Sequence, residues 1–298
     1  YNENAKRVLR VSTLVFVMLA IFTPMIVGFS FYFPYIVGKG FFIKAFVQIA
    51  IALYIILAII DPASRPRRSP LMYAVIGFLI VAGISNMLSV NPWRSFWSNY
   101  ERMEGYSLML HLGALFVIAS SVVRKREWVW VGGLSLVVSV VVGISSLGDV
   151  TKAVAQAVAN GYSGSVLETV RATARISGPL GNSSYLGVYA LIHAFFALLA
   201  VLMIFRGNRE YELLTPGTHK PAQRLSSNGW IAIVACLCVF VFNLYILYKT
   251  GTRGAFAGLV TSANSSATIS VICPNSAPTF AKVNAHFAQK SKSVNAFA

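Results

Sequence analysis

Seven apolar runs of about 20 residues dominate this chain of 298 residues. A run of that length crosses a bilayer as a helix, because only a helix satisfies the backbone hydrogen bonds of a continuous apolar segment in lipid. The sequence therefore predicts an all-α polytopic membrane protein with about seven transmembrane helices and the start of an eighth at residues 254–260. The seven predicted spans are approximately Val11–Phe33, Phe41–Ile60, Leu71–Val90, Tyr106–Val123, Trp128–Leu147, Ser184–Phe205 and Trp230–Tyr248.

The composition excludes a soluble globular protein and a nucleic-acid binder. Hydrophobic residues make up 56% of the chain and charged residues 11%, whereas an average soluble domain is about 25% charged. The net charge of +16 does not form the continuous basic stripe that nucleic acid requires, because the charges fall in short clusters between apolar runs. Membrane lipids are therefore expected partners, and nucleic acid is not.

The basic clusters predict the orientation of the spans. Alternate loops are rich in Lys and Arg, and the positive-inside rule assigns these loops and the N-terminus to the cytoplasm. The other loops face outward, and they hold most of the acidic residues together with several arginines that the rule does not explain. These outer loops are residues 91–105, 148–183 and 249–253.

The first of these outer loops contains an aromatic stripe. Trp93, Phe96, Trp97 and Tyr100 recur at helical spacing, which predicts a short helix lying in the membrane interface. The rings either anchor the loop as an aromatic belt or stack on a sugar. The charged residues 101–105 follow, and they form either a local ion-pair network that caps the next helix or part of a site.

The second outer loop predicts a cationic edge. Ser165 and Glu168 have the spacing of a capping box, which starts a helix with Glu168, Arg171 and Arg175 on one face. Free backbone N–H groups in the Gly- and Ser-rich turn 176–187 would suit a phosphate beside these arginines. The alternative is an ordinary N-cap on the sixth span.

Arg253 adds a third arginine-bearing outer segment, at the start of the eighth apolar run. Together, the three segments predict that arginines converge on a polyanion at the outer leaflet.

Three motifs, taken in order, resemble the bacterial O-antigen ligase family, which includes O-antigen polymerases and protein O-oligosaccharyltransferases. They are Glu101-Arg102-x-Glu104-Gly105, Arg175-x-Ser-Gly178-x-Leu-Gly181-Asn182, and Thr250-Gly-Thr-Arg253-Gly254-Ala. The similarity covers roughly residues 8–260.

The resemblance implies a glycosyltransferase of the bacterial inner membrane whose active face is periplasmic or extracellular. Its donor would be an undecaprenyl-pyrophosphate-linked glycan. Its acceptor would be lipid A core, a protein or a growing polysaccharide. Arginines at the outer rim would stabilise the charge of the pyrophosphate leaving group.

The resemblance also implies residue roles. Arg175 and Arg253 are the candidates for gripping the pyrophosphate, and Glu101 or Glu104 would orient the arginines or the acceptor hydroxyl, or act as a general base. His111 is a candidate from its own position, because a polar residue inside a span is costly, whereas interhelical packing is expected for His193. The candidate substrate-binding residues are Arg102, Arg171, Asn182, Trp97 and His111.

The sequence predicts a metal-independent mechanism without a cofactor. Hard cations need several oxygen ligands, but the chain contains no D-x-D motif, Asp61 is assigned to the cytoplasm and Asp149 is isolated.

The chain divides into a ligase-like transmembrane domain, residues 1–260, and an atypical tail rich in Ser, Ala and Asn, residues 261–298. Family members carry later spans and a large periplasmic loop with a histidine at this point, and His286 does not match that motif. The tail is expected to be a truncation or frameshift product, which would make this copy inactive. Alternatively, it is a natural disordered tail.

Three other functions stay open at the level of sequence. An O-antigen polymerase shares the same motifs. A transporter or flippase of lipid-linked sugars would show ionisable groups near the bilayer midplane and inverted repeats, but the sequence shows neither, because its charges cluster at the ends of the spans. A membrane scaffold would not cluster its outer arginines.

Overall fold

The computed structural model describes residues 3–99, 104–213 and 227–264, with side chains throughout except at 206–213, 256 and 260–264. In this part of the chain, the regular structure is entirely helical, which confirms the predicted all-α fold. The α-helices are α1 Glu3–Ala20, α2 Val37–Ile60, α3 Pro70–Met87, α4 Pro92–Trp97, α5 Tyr106–Val122, α6 Trp128–Ala159, α7 Ser165–Thr173, α8 Ser183–Leu213, α9 Ser227–Thr250 and α10 Arg253–Asn264.

Five of the described helices are long and apolar enough to cross a membrane, namely α2, α3, α6, α8 and α9. Each corresponds to a predicted span. Helix α5 is also apolar but shorter, with 17 residues. The protein is therefore a multi-pass α-helical membrane protein.

The first predicted span is wrong in its second half, because α1 ends at Ala20 instead of continuing to Phe33. Pro24 has no N–H with which to bond the carbonyl of Ala20 four residues earlier. The Thr23 hydroxyl donates to that carbonyl instead, at 2.6 Å. The chain then forms a loop that the Gly28 N–H closes by donating to the Pro34 carbonyl at 2.9 Å.

Two helices begin at the same kind of local signal. Ser69 precedes Pro70 and its hydroxyl accepts from the Met72 N–H, and Asn91 precedes Pro92 and its side chain accepts from the Arg94 N–H. A polar N-cap satisfies a backbone donor that lacks a partner in the first turn, and proline is tolerated there because its missing N–H has no helical partner to lose. These pairs set the starts of α3 and α4.

The helices up to Thr250 form two groups. In the first group, α2 packs against α1 and α5, and α5 also packs against α3. Its buried core contains Val17, Ala50, Leu57, Ile118 and Val122. In the second group, α8 packs mainly against α9, and both contact α6.

The spans of residues 3–250 have two ends, which we name from their contacts. The site end carries residues 21–39, 148–183 and Thr250, and it contains contacts between the two helix groups through the short 3₁₀ turns Thr23–Met25 and Gly178–Leu180. The opposite end carries residues 61–69 and 123–127, together with the start of α1. Helix α10 belongs to a second compact unit that begins at Gly251.

Candidate functional site

A turn at residues 175–179, here called the clamped turn, lies at the site end beside the ends of two spanning helices. The Arg175 Nε donates to the Thr250 carbonyl of α9 at 3.0 Å, and its Nη2 donates to the Ser183 Oγ of α8 at 2.9 Å. Arg175 is otherwise exposed. The two bonds fix the guanidinium where α8 begins and α9 ends.

Asp149 of α6 holds the same turn from another side. Its Oδ2 accepts from the Ser177 N–H at 2.9 Å, from the Gly178 N–H at 2.8 Å and from the Ser177 hydroxyl at 3.2 Å. The expectation that these N–H groups are free for a phosphate is therefore wrong. A carboxylate of the protein itself occupies them.

Asn182 acts as a helix cap. Its Oδ1 accepts from the Ser184 N–H at 2.8 Å, at the first turn of α8. This contact confirms the alternative of an ordinary N-cap at the sixth span.

Lys39 holds the clamped turn from the first helix group, although it belongs to none of the sequence motifs described above. Its Nζ donates to the carbonyls of Ile26, Tyr35 and Pro179 at 2.8, 2.8 and 2.6 Å. One feature of the sequence could have identified it: Lys39 lies in the first turn of an otherwise apolar helix. An ammonium group that is partly removed from water there requires hydrogen-bond acceptors from the protein. These acceptors join the loop after α1 to the clamped turn.

Gly178 allows the turn to pack this closely against α6. Its φ is +54°, and a Cβ at this position would collide with the side chain and backbone of Ser146. Only glycine satisfies both conditions, because other residues rarely adopt positive φ and all of them carry a Cβ.

Lys39 and Arg175 keep their positive charges uncompensated. Their hydrogen-bond acceptors are neutral oxygens, and within the described ranges no carboxylate forms an ion pair with either side chain. The site end can therefore attract an anion without first breaking an ion pair of these two residues.

The helix predicted in the second outer loop is present as α7, but its predicted cap is wrong. Gly164 is the N-cap, and no side chain caps the helix there; Ser165 is already its first helical residue. The chain enters the helix through Gly164 at φ +62°, a conformation that glycine adopts without a steric cost.

The predicted cationic face of this helix is also wrong. Helix α7 ends at Thr173, and Ala174 leaves the helical conformation, so Arg175 does not continue the face of Glu168 and Arg171. Both Glu168 and Arg171 are exposed.

The aromatic stripe is present on α4 for its three described rings. The Trp97 ring packs edge-on against Phe96 at 4.8 Å and Trp93 at 5.9 Å between centroids. The following Ser98 has φ +64° and ψ −155°, a strained conformation for a residue with a side chain. A Cβ on Gly105 would collide with the backbone of α4, so this glycine lets the chain return beside the helix.

A cavity of about 260 Å³, here called the Lys44 pocket, lies between α2 and Trp97. Its walls are mostly apolar, and Lys44 and Gln48 supply its charged and amide groups. It is lined by Val37, Gly40, Phe41, Lys44, Ala45, Gln48 and Trp97.

His111 supports the Lys44 pocket from α5. Its Nδ1 lies 2.7 Å from the Ser107 carbonyl, which only accepts, so Nδ1 carries a proton. Its Nε2 lies 3.1 Å from the Gln48 Nε2 and accepts from that amide. Glu104, exposed before α5, interacts electrostatically with Lys44. The structure thus brings together Trp97, Glu104 and His111 of the predicted residues.

His193 has the packing role expected for it. It is buried, its Nε2 lies 3.0 Å from the Ser135 hydroxyl of α6, and its ring lies 4.1 Å from the Tyr189 ring. The contact with Ser135 joins α8 to α6.

Several predicted residues are not tested by this geometry. Tyr100, Glu101, Arg102 and His286 lie outside the described residues, and Arg253 is an exposed residue at the start of α10 in the second unit. The convergence of Arg102, Arg175 and Arg253 stays a prediction. Within the described ranges, no three His, Cys, Asp or Glu side chains form a group that could hold a metal ion.

Comparison of the chain with protein-family models, with curated proteins and with solved structures finds no match. The fold and the site define a multi-pass α-helical membrane protein with uncompensated cations at one end of its spans.

Proposed function

We propose that the protein is an integral-membrane glycosyltransferase, similar to O-antigen ligases, that moves a glycan from an undecaprenyl-pyrophosphate carrier to an acceptor at the site end. The observation that supports it best is the exposed Arg175 guanidinium, fixed by Thr250 and Ser183 at the ends of two spanning helices. A fixed arginine at this level suits a lipid-linked pyrophosphate, because guanidinium groups form strong charge-assisted bonds with phosphate oxygens.

The reaction needs stabilisation of the leaving group. The acceptor hydroxyl attacks the anomeric carbon, the bond from that carbon to the pyrophosphate oxygen breaks, and the hydroxyl proton passes to a base. The pyrophosphate gains negative charge as it leaves, and Arg175 stabilises that charge without reorganising, since its position is already held. Glu104 or Glu101 serves as the orienting group or base, and Arg102 and Arg171 are candidates for further contacts with the anion.

We also infer the orientation. Exposed basic residues at 65–68 and 124–126 lie at the opposite end, and cytoplasmic loops are rich in such residues. The protein would then lie in a bacterial inner membrane with its N-terminus in the cytoplasm and the site end on the periplasmic or extracellular side.

The same experiment distinguishes two alternative functions. An O-antigen polymerase would use the same arginines with a growing polysaccharide as acceptor. A flippase of lipid-linked sugars is favoured by one observation, the polar group of Lys44 and Gln48 on α2 with His111 on the apolar helix α5, because such groups often line substrate paths.

The test is the transfer of a labelled glycan from undecaprenyl pyrophosphate by the full chain in proteoliposomes, with lipid A core, a protein and free polysaccharide offered as acceptors. Arg175→Ala should lower the rate by about 10²–10³-fold, as does the loss of one donor to a developing oxyanion. Arg94→Ala is the matched control, since Arg94 is an exposed arginine bonded through its side chain to Asn99. Equal rates for the intact protein and Arg175→Ala would contradict the proposal, and translocation without transfer would favour the flippase.

A further inference from the structure

We propose that the Lys44 pocket holds one sugar ring of the transferred glycan and selects a sugar that carries a carboxylate. This inference rests on the proposed function and names the class of sugar that it uses.

The size of the pocket suits one ring. Its volume of about 260 Å³ equals roughly nine water molecules at about 30 Å³ each. One six-membered ring with its substituents has a volume of this order. The pocket is partly open, so the rest of a glycan chain can extend out of it.

The walls suit a sugar face. Phe41 and Trp97 contribute aromatic rings, and Gly40 and Ala45 leave room beside them. Aromatic side chains provide large, stiff apolar contacts. Trp97 is already held by its ring contacts with its neighbours on α4, so binding would cost little further ordering of this side chain.

The polar groups point to an acidic sugar. Lys44 is the cation among the described lining residues, and one ammonium matches the single charge of a carboxylate. The Gln48 amide is oriented by its bond to His111, which leaves the Gln48 Oε1 as an acceptor for a sugar hydroxyl. A mostly apolar pocket with a few fixed polar groups is the usual composition of a small-molecule site.

Glu104 contributes a negative charge that acts on Lys44, so a ligand carboxylate would share this ammonium with groups of the protein.

The experiment compares methyl glucuronide with methyl glucoside as probes for the full chain in nanodiscs, by saturation-transfer NMR titration. We expect the glucuronide to bind about tenfold more tightly, which corresponds to about 1.4 kcal/mol. Lys44→Gln should remove this preference while glucoside binding persists, and Lys44→Arg should retain it. Lys152→Gln, which changes an exposed lysine of α6, should have no effect.

Three results would overturn the inference: no binding of either sugar to the intact protein, equal binding of both, or a preference that survives in Lys44→Gln. Its failure is distinguishable from failure of the proposed function. If the intact protein transfers acidic and neutral glycans at the same rate, and Lys44→Gln does so as well, the proposed sugar selection is contradicted and the proposed transfer reaction is not. An unchanged transfer rate in Arg175→Ala would contradict the proposed function and would leave the sugar preference of the pocket untouched.

Discussion

The two ends of the spans in residues 3–250 use their charged residues differently. At the opposite end, Arg10 forms a two-pronged ion pair with Glu127, with N–O distances of 2.7 and 2.9 Å. At the site end, Lys39 and Arg175 donate to neutral oxygens, and Asp149 accepts from backbone N–H groups. The Arg10 charge is thus paired with a carboxylate, whereas no described carboxylate forms an ion pair with Lys39 or Arg175.

This difference separates a structural contact from a candidate binding site. Arg10 and Glu127 neutralise each other, so their pair joins α1 to the start of α6 and has no remaining charge to offer a ligand. Lys39 and Arg175 are held in place by neutral oxygens, so neither charge is already bound in an ion pair with a described carboxylate.

The largest stability effect is expected at Asp149. Asp149→Ala removes the acceptor of three hydrogen bonds and leaves the N–H groups of Ser177 and Gly178 without it, which should lower the free energy of unfolding by about 2–3 kcal/mol. Reversible unfolding in mixed detergent micelles measures the change. Lys152→Ala, on the same helix, is the control and should stay within about 0.5 kcal/mol. Equal effects of the two variants would show that Asp149 does not hold the turn.

A smaller loss is expected at the opposite end. Glu127→Gln breaks the ion pair with Arg10. The Arg10 side chain is 14% exposed and the Glu127 side chain is 21% exposed. The variant should lower the free energy of unfolding by about 1.5 kcal/mol, which lies between the losses measured for broken surface ion pairs and for broken buried ion pairs. The same variant should leave glycan transfer unchanged in detergent-free membranes, and a loss of transfer would break the distinction between the two ends.

The pH dependence of stability should report the same pair. The Arg10 guanidinium holds the pKa of the Glu127 carboxyl below its ordinary value. The resulting stability is fully present above the unfolded pKa of about 4.3 and is lost as the pH falls through the lower folded pKa. Asp61, whose pKa is lowered by the Ser64 hydroxyl, titrates in the same window. The measured quantity is therefore the difference between the intact protein and Glu127→Gln, which should shrink on acidification. A constant difference from pH 6 to pH 3 would contradict this.

The smallest effect is a gain in stability at Ser98, directly after α4. Ser98→Gly should raise the free energy of unfolding by about 1 kcal/mol, because glycine adopts the observed φ of +64° without strain. Ser95→Gly, inside α4, should have the opposite sign, since glycine lowers helix stability. Thermal unfolding followed by tryptophan fluorescence distinguishes the two, and a destabilised Ser98→Gly would show that this conformation is not strained.

The spans were predictable because apolar runs of 18 or more residues leave few alternatives in a membrane. The error at α1 came from weighing hydropathy above Pro24, whose missing N–H ends the helix near Ala20. Ser165 was selected as a cap from its spacing to Glu168, but Gly164 sets the helix start through its backbone conformation.

The site was predictable only in part. The sequence singled out Arg175, Trp97 and His111. The rules for membrane orientation do not account for an arginine in an outer loop or a histidine inside an apolar run, and Trp97 belongs to a regular aromatic pattern. Asp149 and Lys39 did not, because their partners lie 28 and 140 residues away along the chain, at Ser177 and Pro179. Such contacts depend on how the helices pack, which the apolar pattern alone does not specify.

The most direct test of the central claim is a titration of the full chain in nanodiscs with undecaprenyl pyrophosphate, comparing Arg175→Gln with Arg10→Gln. Both variants remove one arginine charge, one from each end. If the uncompensated cations at the site end bind the anion, Arg175→Gln should weaken binding at least tenfold and Arg10→Gln should leave it within about twofold. Equal affinities in the two variants, or a loss confined to Arg10→Gln, would contradict the account.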